Sequence, residues 1–409
     1  MNETWVAGAE TRFPLSHLPY GVFSRESEPP RVGVAVGDSV LDLGALAGQG
    51  LLEPVADFSA PALNSFMAAG PDAWRATRAR LVELLTTEEE RTGVAEALVE
   101  ADAVRLHLPF AVADYVDFYS SRAHAENLGR LFRPGSDPLT PNWLHLPIGY
   151  HGRAGTVVVS GTPVVRPSGQ IRPPDAERPV FRPSARLDIE LELGFVVGVG
   201  SELGSPVDAD AAPQHLFGAV LVNDWSARDI QSWEYQPLGP FLGKSFATSI
   251  AAWVTPLEAL EPFRVPAVRQ DPEPLPHLRA AEPTVFDLDL EVGLAAAGMR
   301  EFEAVSRTSA RNLYWTVEQQ VAHLTSNGTN LRTGDLLASG TISGPEPGAR
   351  GSFIELSWNG AEPVKLGDGR RRTFLEDGDE VVLRGRTAGA GGFALGDVRG
   401  AILPARGDG

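Results

Sequence analysis

RLDIELELG, residues 186–194, alternates apolar and acidic side chains and predicts a β-strand, because neighbouring side chains on a strand point to opposite faces. The aliphatic residues would lie on one face, and Asp188, Glu190 and Glu192 on the other. The backbones of Glu190 and Glu192 would then be about 7 Å apart, with both carboxylates projecting the same way. Two like charges at this distance are unfavourable unless water or a cation compensates them. The pattern therefore leaves two alternatives open, a solvated face of an edge strand and a metal site.

Two further acidic residues lie in unusual surroundings. Asp117 belongs to the aromatic segment DYVDFYSSRAH, residues 114–124, and Asp224 follows the apolar run FGAVLV, residues 217–222. A carboxylate at the end of a buried strand is a common metal ligand, but Asp224 is equally compatible with the N-cap of a following helix. If all four carboxylates act together, their oxygen-only chemistry favours Mg²⁺ or Ca²⁺ over Zn²⁺.

Composition narrows the class of protein. A length of 409 residues favours two domains, and 43% hydrophobic with 22% charged residues is ordinary for a globular protein. The net charge of −18 argues against nucleic acid or an anionic membrane as a partner. Without cysteine there are no disulfides and no thiolate chemistry. The acidic N-terminus MNETWVAGAETRF does not resemble a signal peptide, and no apolar run approaches a membrane span, so we expect a cytoplasmic protein.

The chain divides near residue 110. Residues 1–110 predict a separate module with short strands at residues 31–36 and 39–43 and a helical stretch at residues 76–100. Residues 111–409 predict a loop-rich β protein, because 43 glycines and 33 prolines break the chain into short segments. The strands predicted in this part are residues 156–165, 187–197, 217–222, 285–292, 336–339, 352–358 and 380–384. The predicted helices are residues 209–216, 227–233 and 312–326.

Several longer segments resemble the fumarylacetoacetate hydrolase family. They are DYVDFYSSR with His124, PNWLHLPIGYHGR (141–153), the Glu190/Glu192 pair, NDWSARDIQ (223–231), WEY (233–235), LGPFLGKSF (238–246) and GDLLASGTISG (334–344). The resemblance implies a mainly β (α+β) fold, with a small SH3-like β-barrel at the N-terminus followed by a large β-roll or sandwich. It also implies a homodimer.

The same resemblance assigns roles to individual residues. It implies that the metal ligands are Asp117, Glu190, Glu192 and Asp224, with Lys244 and Thr248 lining the site. It implies that His124 is the base that activates water, oriented by Glu355. The groups that stabilise the leaving fragment would be Arg228, Gln231 and Lys244. The substrate contacts would be Tyr119, Arg133, Tyr150, Gln231, Tyr235 and Thr341.

The chemistry agrees with these residue types. Hydrolysis of a carbon–carbon bond between two carbonyl groups needs an activated water, and a histidine fixed by a carboxylate suits that task near neutral pH. Arg228 and Gln231 are three positions apart, so on a helix they would share a face. We therefore expect an enzyme that splits an anionic diketo acid, 4-fumarylacetoacetate, into fumarate and acetoacetate. The alternatives are an acylpyruvate hydrolase, a β-keto acid decarboxylase or a hydratase with the same metal site, and a non-catalytic Ca²⁺-binding protein.

Overall fold

The computed structural model describes residues 4–10, 12–389 and 391–407. Within these ranges the chain forms a mixed α/β structure with many strands and shorter helices. The strands are β1 (Tyr20–Ser24), β2 (Arg31–Val36), β3 (Ser39–Asp42), β4 (Leu98–Glu100), β5 (Arg105–His107), β6 (Tyr115–Phe118), β7 (Gly149–His151), β8 (Val157–Val159), β9 (Val164–Val165), β10 (Ser168–Ile171), β11 (Val180–Pro183), β12 (Leu187–Asp188), β13 (Leu191–Val197), β14 (Leu216–Asp224), β15 (Ser226–Ala227), β16 (Thr248–Ile250), β17 (Trp253–Pro256), β18 (Arg264–Pro266), β19 (Thr284–Phe286), β20 (Leu288–Ala295), β21 (Glu303–Ser309), β22 (Leu336–Ala338), β23 (Val364–Lys365), β24 (Arg371–Arg372), β25 (Glu380–Thr387) and β26 (Val398–Leu403). The α-helices are α1 (Leu43–Gly48), α2 (Asn64–Ala68), α3 (Pro71–Thr86), α4 (Arg91–Glu96), α5 (Arg122–Phe132), α6 (Arg228–Glu234), α7 (Leu257–Leu260), α8 (Val317–Thr325) and α9 (Phe353–Leu356).

One large sheet runs through both parts of the chain. Its strand order is β4-β3-β2-β1-β17-β14-β13-β22-β6-β7, with β5, β8 and β16 attached at its side. The two parts join where β1 pairs antiparallel with β17, with Tyr20 opposite Val254. Among the described residues the N-terminal strands do not close into a barrel, so the small SH3-like barrel is not confirmed. These strands form instead one end of an open sheet.

A second sheet, ordered β21-β20-β25-β26-β9, packs on the large one. Gly385 of β25 lies so close to β14 that a Cβ atom there would come within 3.3 Å of the Leu221 side chain. The apolar residues between the sheets, including Leu221, Leu290 and Leu383, belong to one continuous buried cluster that also reaches the N-terminal strands. This core holds β13 and β14 rigidly, which matters because both strands carry acidic residues. None of the described helices is long and apolar enough to cross a membrane.

The strand predicted at residues 187–197 is interrupted. β12 ends at Asp188 and β13 begins at Leu191, so Glu190 lies in the short break between them. β12 pairs with β15, whereas β13 lies between β14 and β22 in the middle of the large sheet. The alternative of an edge strand with a solvated acidic face is therefore wrong.

The strand predicted at residues 352–358 is also wrong, because residues 353–356 form helix α9. The cause is a contact from a distant part of the chain. The carboxylate of Asp188 accepts hydrogen bonds from the backbone N–H groups of Phe353 (2.6 Å) and Ile354 (3.0 Å). These donors have no partner inside a helix, so a carboxylate placed here caps the first turn.

The helix predictions are right in place but not in length. The segment predicted at residues 312–326 is helical only from Val317, where Thr316 and Gln319 form a capping box. The segment at residues 209–216 is a 3₁₀ helix, Ala209–Gln214. The N-terminal helical stretch begins earlier than predicted, at Pro71, and its last residues form strand β4.

Candidate metal centre and active site

Three strands of the large sheet, with β22 lying between two of them, bring four carboxylates together. Asp117 lies on β6, Glu192 on β13, Asp224 at the end of β14, and Glu190 just before β13. One oxygen from each of the four lies within 4.8 Å of the others, and all four side chains are buried. The register explains the meeting, because β22 pairs with both β13 and β6 and β14 lies on the other side of β13. The four residues singled out in the sequence are thus one cluster, called the carboxylate cluster below.

The carboxylate cluster carries more negative charge than the protein compensates. Lys244 Nζ donates to both Glu190 and Asp224, at 2.6 Å for Asp224, and Arg228 Nη2 lies 2.8 Å from Glu190. Asp117 Oδ1 and Glu192 Oε1, by contrast, are buried and accept no hydrogen bond from any of the described residues. Buried polar atoms normally have hydrogen-bond partners. Neighbouring carboxylate oxygens that receive no hydrogen bond are the kind of ligand that a hard divalent cation binds. The residues present therefore fit a divalent metal ion.

The pKa shifts within the carboxylate cluster also separate the carboxyls without hydrogen-bond donors, Asp117 and Glu192, from Glu190, which contacts Lys244 and Arg228. Burial, followed by the charge of Asp224, raises the pKa of Asp117 well above its usual range. Burial and the charges of Asp117 and Glu190 raise the pKa of Glu192 in the same direction. Burial also acts to raise the pKa of Glu190, but Lys244 and Arg228 outweigh it and lower that pKa to about 2. The unpartnered carboxyls thus favour a proton, for which a metal ion would substitute.

Asp224 is held by three donors. Tyr150 Oη donates to its Oδ2 at 2.9 Å, Thr248 Oγ1 donates to its Oδ1 at 2.9 Å, and Lys244 contacts Oδ2. The contact to Thr248 follows from the pairing of β14 with β16, which sets the two residues opposite each other. Helix α6 begins only at Arg228, after Ala227, so the alternative of Asp224 as its N-cap is wrong.

A second buried group contains His124 and Glu355. His124 Nδ1 lies 2.7 Å from Glu355 Oε2, and Glu355 also accepts from Ser343 (2.8 Å), Ser352 (2.7 Å) and Asn127 (2.9 Å). Burial acts to raise the pKa of Glu355, but the interactions with His124 and the hydrogen bonds outweigh it and lower that pKa to about 2. When Nδ1–H of His124 donates a hydrogen bond to the Glu355 carboxylate, Nε2 of the neutral ring carries no proton and can accept one. This group is called the dyad below.

Sequence reasoning missed the donors that hold the dyad. Asn127 lies three residues after His124 on helix α5, a spacing that puts both side chains on one face and was a usable signal. Ser343 and Ser352 carry no comparable signal, because they contact Glu355 from a loop and from the residue before α9.

A third contact involves Arg228. Its Nε donates to Asp188 Oδ2 at 2.8 Å, and its Nη1 donates to Gln231 Oε1 at 3.3 Å. Arg228 and Gln231 therefore do share one face of α6. Asp188 was grouped by alternation with Glu190 and Glu192, but the break between β12 and β13 turns it away from the carboxylate cluster. The Asp188 carboxylate instead accepts hydrogen bonds from Arg228 and from the first turn of α9. Glu355 of the dyad lies in this same helix.

Asp117 and Glu190 of the carboxylate cluster, His124 of the dyad, and Arg228 line one cavity of about 500 Å³. Its lining includes the remaining residues that the resemblance assigned, namely Tyr119, Arg133, Tyr150, Gln231, Tyr235, Lys244 and Thr341. Thr341 Oγ1 is buried without a partner, and the Tyr119 ring packs edge-on against the His124 ring, 5.3 Å between centroids. The cavity thus joins carboxylates that could hold a cation, the imidazole of His124 and several cationic or hydroxyl donors, which suits an anionic substrate with carbonyl oxygens.

The chain is similar to known proteins over nearly its whole length. The protein-family model for the fumarylacetoacetate hydrolase C-terminal domain matches residues 114–399 of the sequence. The family model for the fumarylacetoacetase N-terminal domain matches residues 16–109. A fumarylacetoacetase from Homo sapiens is 50% identical over 407 residues, covering 97% of each chain. One from Arabidopsis thaliana is 47% identical over 409 residues, again covering 97% of each chain. In fold, the chain is similar to a solved fumarylacetoacetate hydrolase from Exiguobacterium antarcticum, with TM-score 0.55 at 16% identity, covering 95% of this chain and 100% of that one.

Proposed function

The chain belongs to the fumarylacetoacetate hydrolase family, and we propose that it uses water to cleave fumarylacetoacetate into fumarate and acetoacetate. The observation that carries this proposal is the dyad, because its His124 lines the same cavity as Asp117 and Glu190 of the carboxylate cluster. A base beside a cation site is what hydrolysis requires, whereas a decarboxylase has no need of a base that activates water. The dyad therefore favours the hydrolase over the decarboxylase alternative.

In this proposal His124 Nε2 takes a proton from water while Glu355 holds the ring in the required tautomer. The water oxygen bonds to the carbonyl carbon that becomes the carboxylate of fumarate. The carbon–carbon bond then breaks, its electron pair passes to the acetoacetate fragment as an enolate, and a proton is returned to that carbon. Ser343, Ser352 and Asn127 keep Glu355 ionised and fixed, so the base does not have to be oriented during the reaction.

The enolate needs compensation for its negative charge. We assign this role to Arg228, Gln231 and Lys244, which line the cavity and are held in place by Asp188, Glu190 and Asp224. Each such donor contributes roughly 3 kcal/mol when it resembles a measured oxyanion-hole donor. When bound by Asp117, Glu190, Glu192 and Asp224, a cation such as Mg²⁺ or Ca²⁺ would add Lewis-acid stabilisation of the diketone oxygens. Thr248 and Lys244 would orient the ligands.

Substrate binding would use the rest of the cavity wall. Arg133 supplies a cation for a substrate carboxylate, and Tyr119, Tyr150 and Thr341 supply hydroxyls. Burial raises the pKa of Tyr119, which keeps its hydroxyl protonated and able to donate. Tyr235 lies at the rim with 45% of its surface exposed, where it can contact a substrate as it enters.

A homodimer is the assembly that we propose. Large apolar side chains are exposed beside the cavity, including Leu238 (97%), Phe241 (67%) and Leu242 (52%), with Phe181 (66%) also exposed. Large exposed apolar side chains grouped within one segment, here residues 238–242, are typical of a protein interface. The division into residues 1–110 and 111–409 also stays a proposal, supported by the two family models that meet between residues 109 and 114. The cytoplasmic location stays a prediction.

The test is a substrate panel with protein purified in Mg²⁺ or Ca²⁺. Fumarylacetoacetate should lose its ultraviolet absorbance and give equal amounts of fumarate and acetoacetate. Shorter acylpyruvates should react more slowly, because they leave part of the cavity unfilled. Preferred turnover of a shorter acylpyruvate, or decarboxylation of oxaloacetate, would contradict the proposal. Metal binding without turnover of any member would favour the non-catalytic alternative.

A further inference from the structure

A second cavity, of about 240 Å³, lies where helix α3, strand β1 and helix α7 meet. It shares no lining residue with the active-site cavity. Its walls are mainly apolar, formed by Trp74, Leu216, Phe217 and Leu257 together with three prolines. An apolar recess of this size accommodates one six-membered ring with a short substituent.

A buried hydroxyl group in this cavity lacks a partner. Tyr20 is 1% exposed, and its Oη makes no hydrogen bond within the described protein. The ring is fixed by packing against Phe66 and Phe217, with centroid distances of 5.1 and 5.7 Å. Burial raises the pKa of Tyr20, so the hydroxyl keeps its proton near neutral pH and is a donor. A buried donor without an acceptor is costly, and it points to an acceptor that a ligand would supply.

Arg78 provides a second donor at the same end. Its Nη1 and Nη2 donate to the backbone carbonyls of His17 (2.7 Å) and Ser16 (2.5 Å), which fix the guanidinium in one orientation. Its Nε lies 3.8 Å from Glu258 Oε1, beyond hydrogen-bond distance. Arg78 and Glu258 both line the cavity. Two fixed donors, one neutral and one cationic, therefore face the polar end of an otherwise apolar recess.

We propose that this cavity binds a small monocyclic aromatic carboxylic acid. The carboxylate would accept from Tyr20 Oη and Arg78 Nε, and the ring would pack against Trp74, Leu216 and the prolines. A carboxylate fits better than an ammonium group, because Tyr20 Oη and Arg78 Nε are both hydrogen-bond donors and need an acceptor. Glu258 and Glu261 also line the cavity and oppose an anion. Glu261 is paired with Arg264 at 2.8 Å, and the Glu258 side chain is 48% exposed, so it can turn towards solvent.

The experiment is calorimetric titration of the full chain with phenylacetate. One molecule should bind per chain, and benzyl alcohol and acetate, which each lack half of the recognised groups, should bind at least about tenfold more weakly. Tyr20→Phe should weaken phenylacetate binding about tenfold without lowering the melting temperature, because its hydroxyl has no partner to lose. Glu258→Gln should tighten binding severalfold by removing the opposing charge. Glu83→Gln, on the same helix as Arg78 but outside the cavity, should leave the affinity unchanged.

A further variant distinguishes binding in this cavity from binding in the active site. Leu257→Trp should fill the recess and abolish binding while turnover of fumarylacetoacetate continues. If phenylacetate does not bind, or binds with the same affinity to Tyr20→Phe, Glu258→Gln and Leu257→Trp, the proposal is wrong.

Discussion

The carboxylate cluster and the dyad are both buried, both contain carboxylates and both contribute side chains to one cavity wall, yet they differ in how many of their polar atoms have partners within the described protein. Glu355 has a partner at each oxygen, and its pKa lies at about 2. In the cluster, Asp117 and Glu192 each have an unpartnered oxygen, and their pKa values are raised. The comparison separates two kinds of buried charge. The chain itself stabilises the charge of Glu355, which contacts His124, and it leaves without donors the carboxylate oxygens for which we propose a metal ion.

Glu355→Gln should have the largest effect. A glutamine would present an amide group to Ser343, Ser352 or Asn127, and it would not hold Nδ1–H of His124 as a carboxylate does. We expect kcat to fall roughly 10³–10⁴-fold, the size seen when an orienting carboxylate becomes an amide. The melting temperature should fall as well, because a satisfied buried charge is lost. Steady-state kinetics and calorimetry measure both effects, and turnover near the wild-type rate would remove Glu355 from the dyad.

Glu192→Gln should give the opposite result for stability. Metal affinity and activity should fall together, by about 100-fold or more, because a charged ligand is lost. In chelator-treated buffer the variant should melt at a higher temperature than the wild type, because an unpartnered buried carboxyl becomes neutral. Titration with Mg²⁺ and Ca²⁺ provides the affinity. Full activity of the variant in chelator-treated buffer would contradict the metal role.

The pH dependence should also distinguish the two regions. For Asp117 and Glu192 the folded pKa lies above the unfolded one, so their contribution to stability is present at low pH and is lost as the pH rises towards the folded pKa. For Glu355 the contribution is present above its ordinary value of 4.5 and is lost as the pH falls towards about 2. In chelator-treated buffer, the advantage of Glu192→Gln in melting temperature over the wild type should therefore grow from pH 5 to pH 8. A difference that does not change with pH would contradict this assignment.

Thr248→Val should have the smallest effect. It removes the 2.9 Å hydrogen bond to Asp224 Oδ1 but keeps the shape of the side chain. We expect metal affinity to fall a fewfold, in line with about 0.5–1.5 kcal/mol for one hydrogen bond. Thr333→Val is a matched control, because Thr333 Oγ1 donates to the carbonyl of Gly198 away from the cluster. Equal effects of both variants on metal affinity would mean that Thr248 acts only through general stability.

Local pattern explains what the sequence predicted well. The alternation at residues 186–194 correctly placed Glu190 and Glu192 side by side, and the apolar run before Asp224 correctly indicated a buried strand. The spacing of Arg228 and Gln231 correctly indicated one helix face. Each of these features depends on residues only a few positions apart, which is the range over which backbone periodicity acts.

Long-range contacts explain what the sequence did not predict. The helix at Phe353 depends on the carboxylate of Asp188, which accepts hydrogen bonds from backbone groups 165 and 166 positions away. His124 and Glu355 are 231 positions apart, so spacing alone could not have joined them. The N-terminal strands were expected to close on themselves, but the pairing of β1 with β17 extends them into the main sheet.

The central claim is that the dyad acts on water while the carboxylate cluster holds a metal ion independently of it. The most direct test measures both properties on one variant, His124→Ala, by titration with Mg²⁺ or Ca²⁺ and by turnover of fumarylacetoacetate. We predict metal affinity within about twofold of the wild type and a loss of kcat of roughly 10²–10⁴-fold. Loss of metal affinity together with turnover would make His124 part of the metal site, and turnover at the wild-type rate would show that another group activates water.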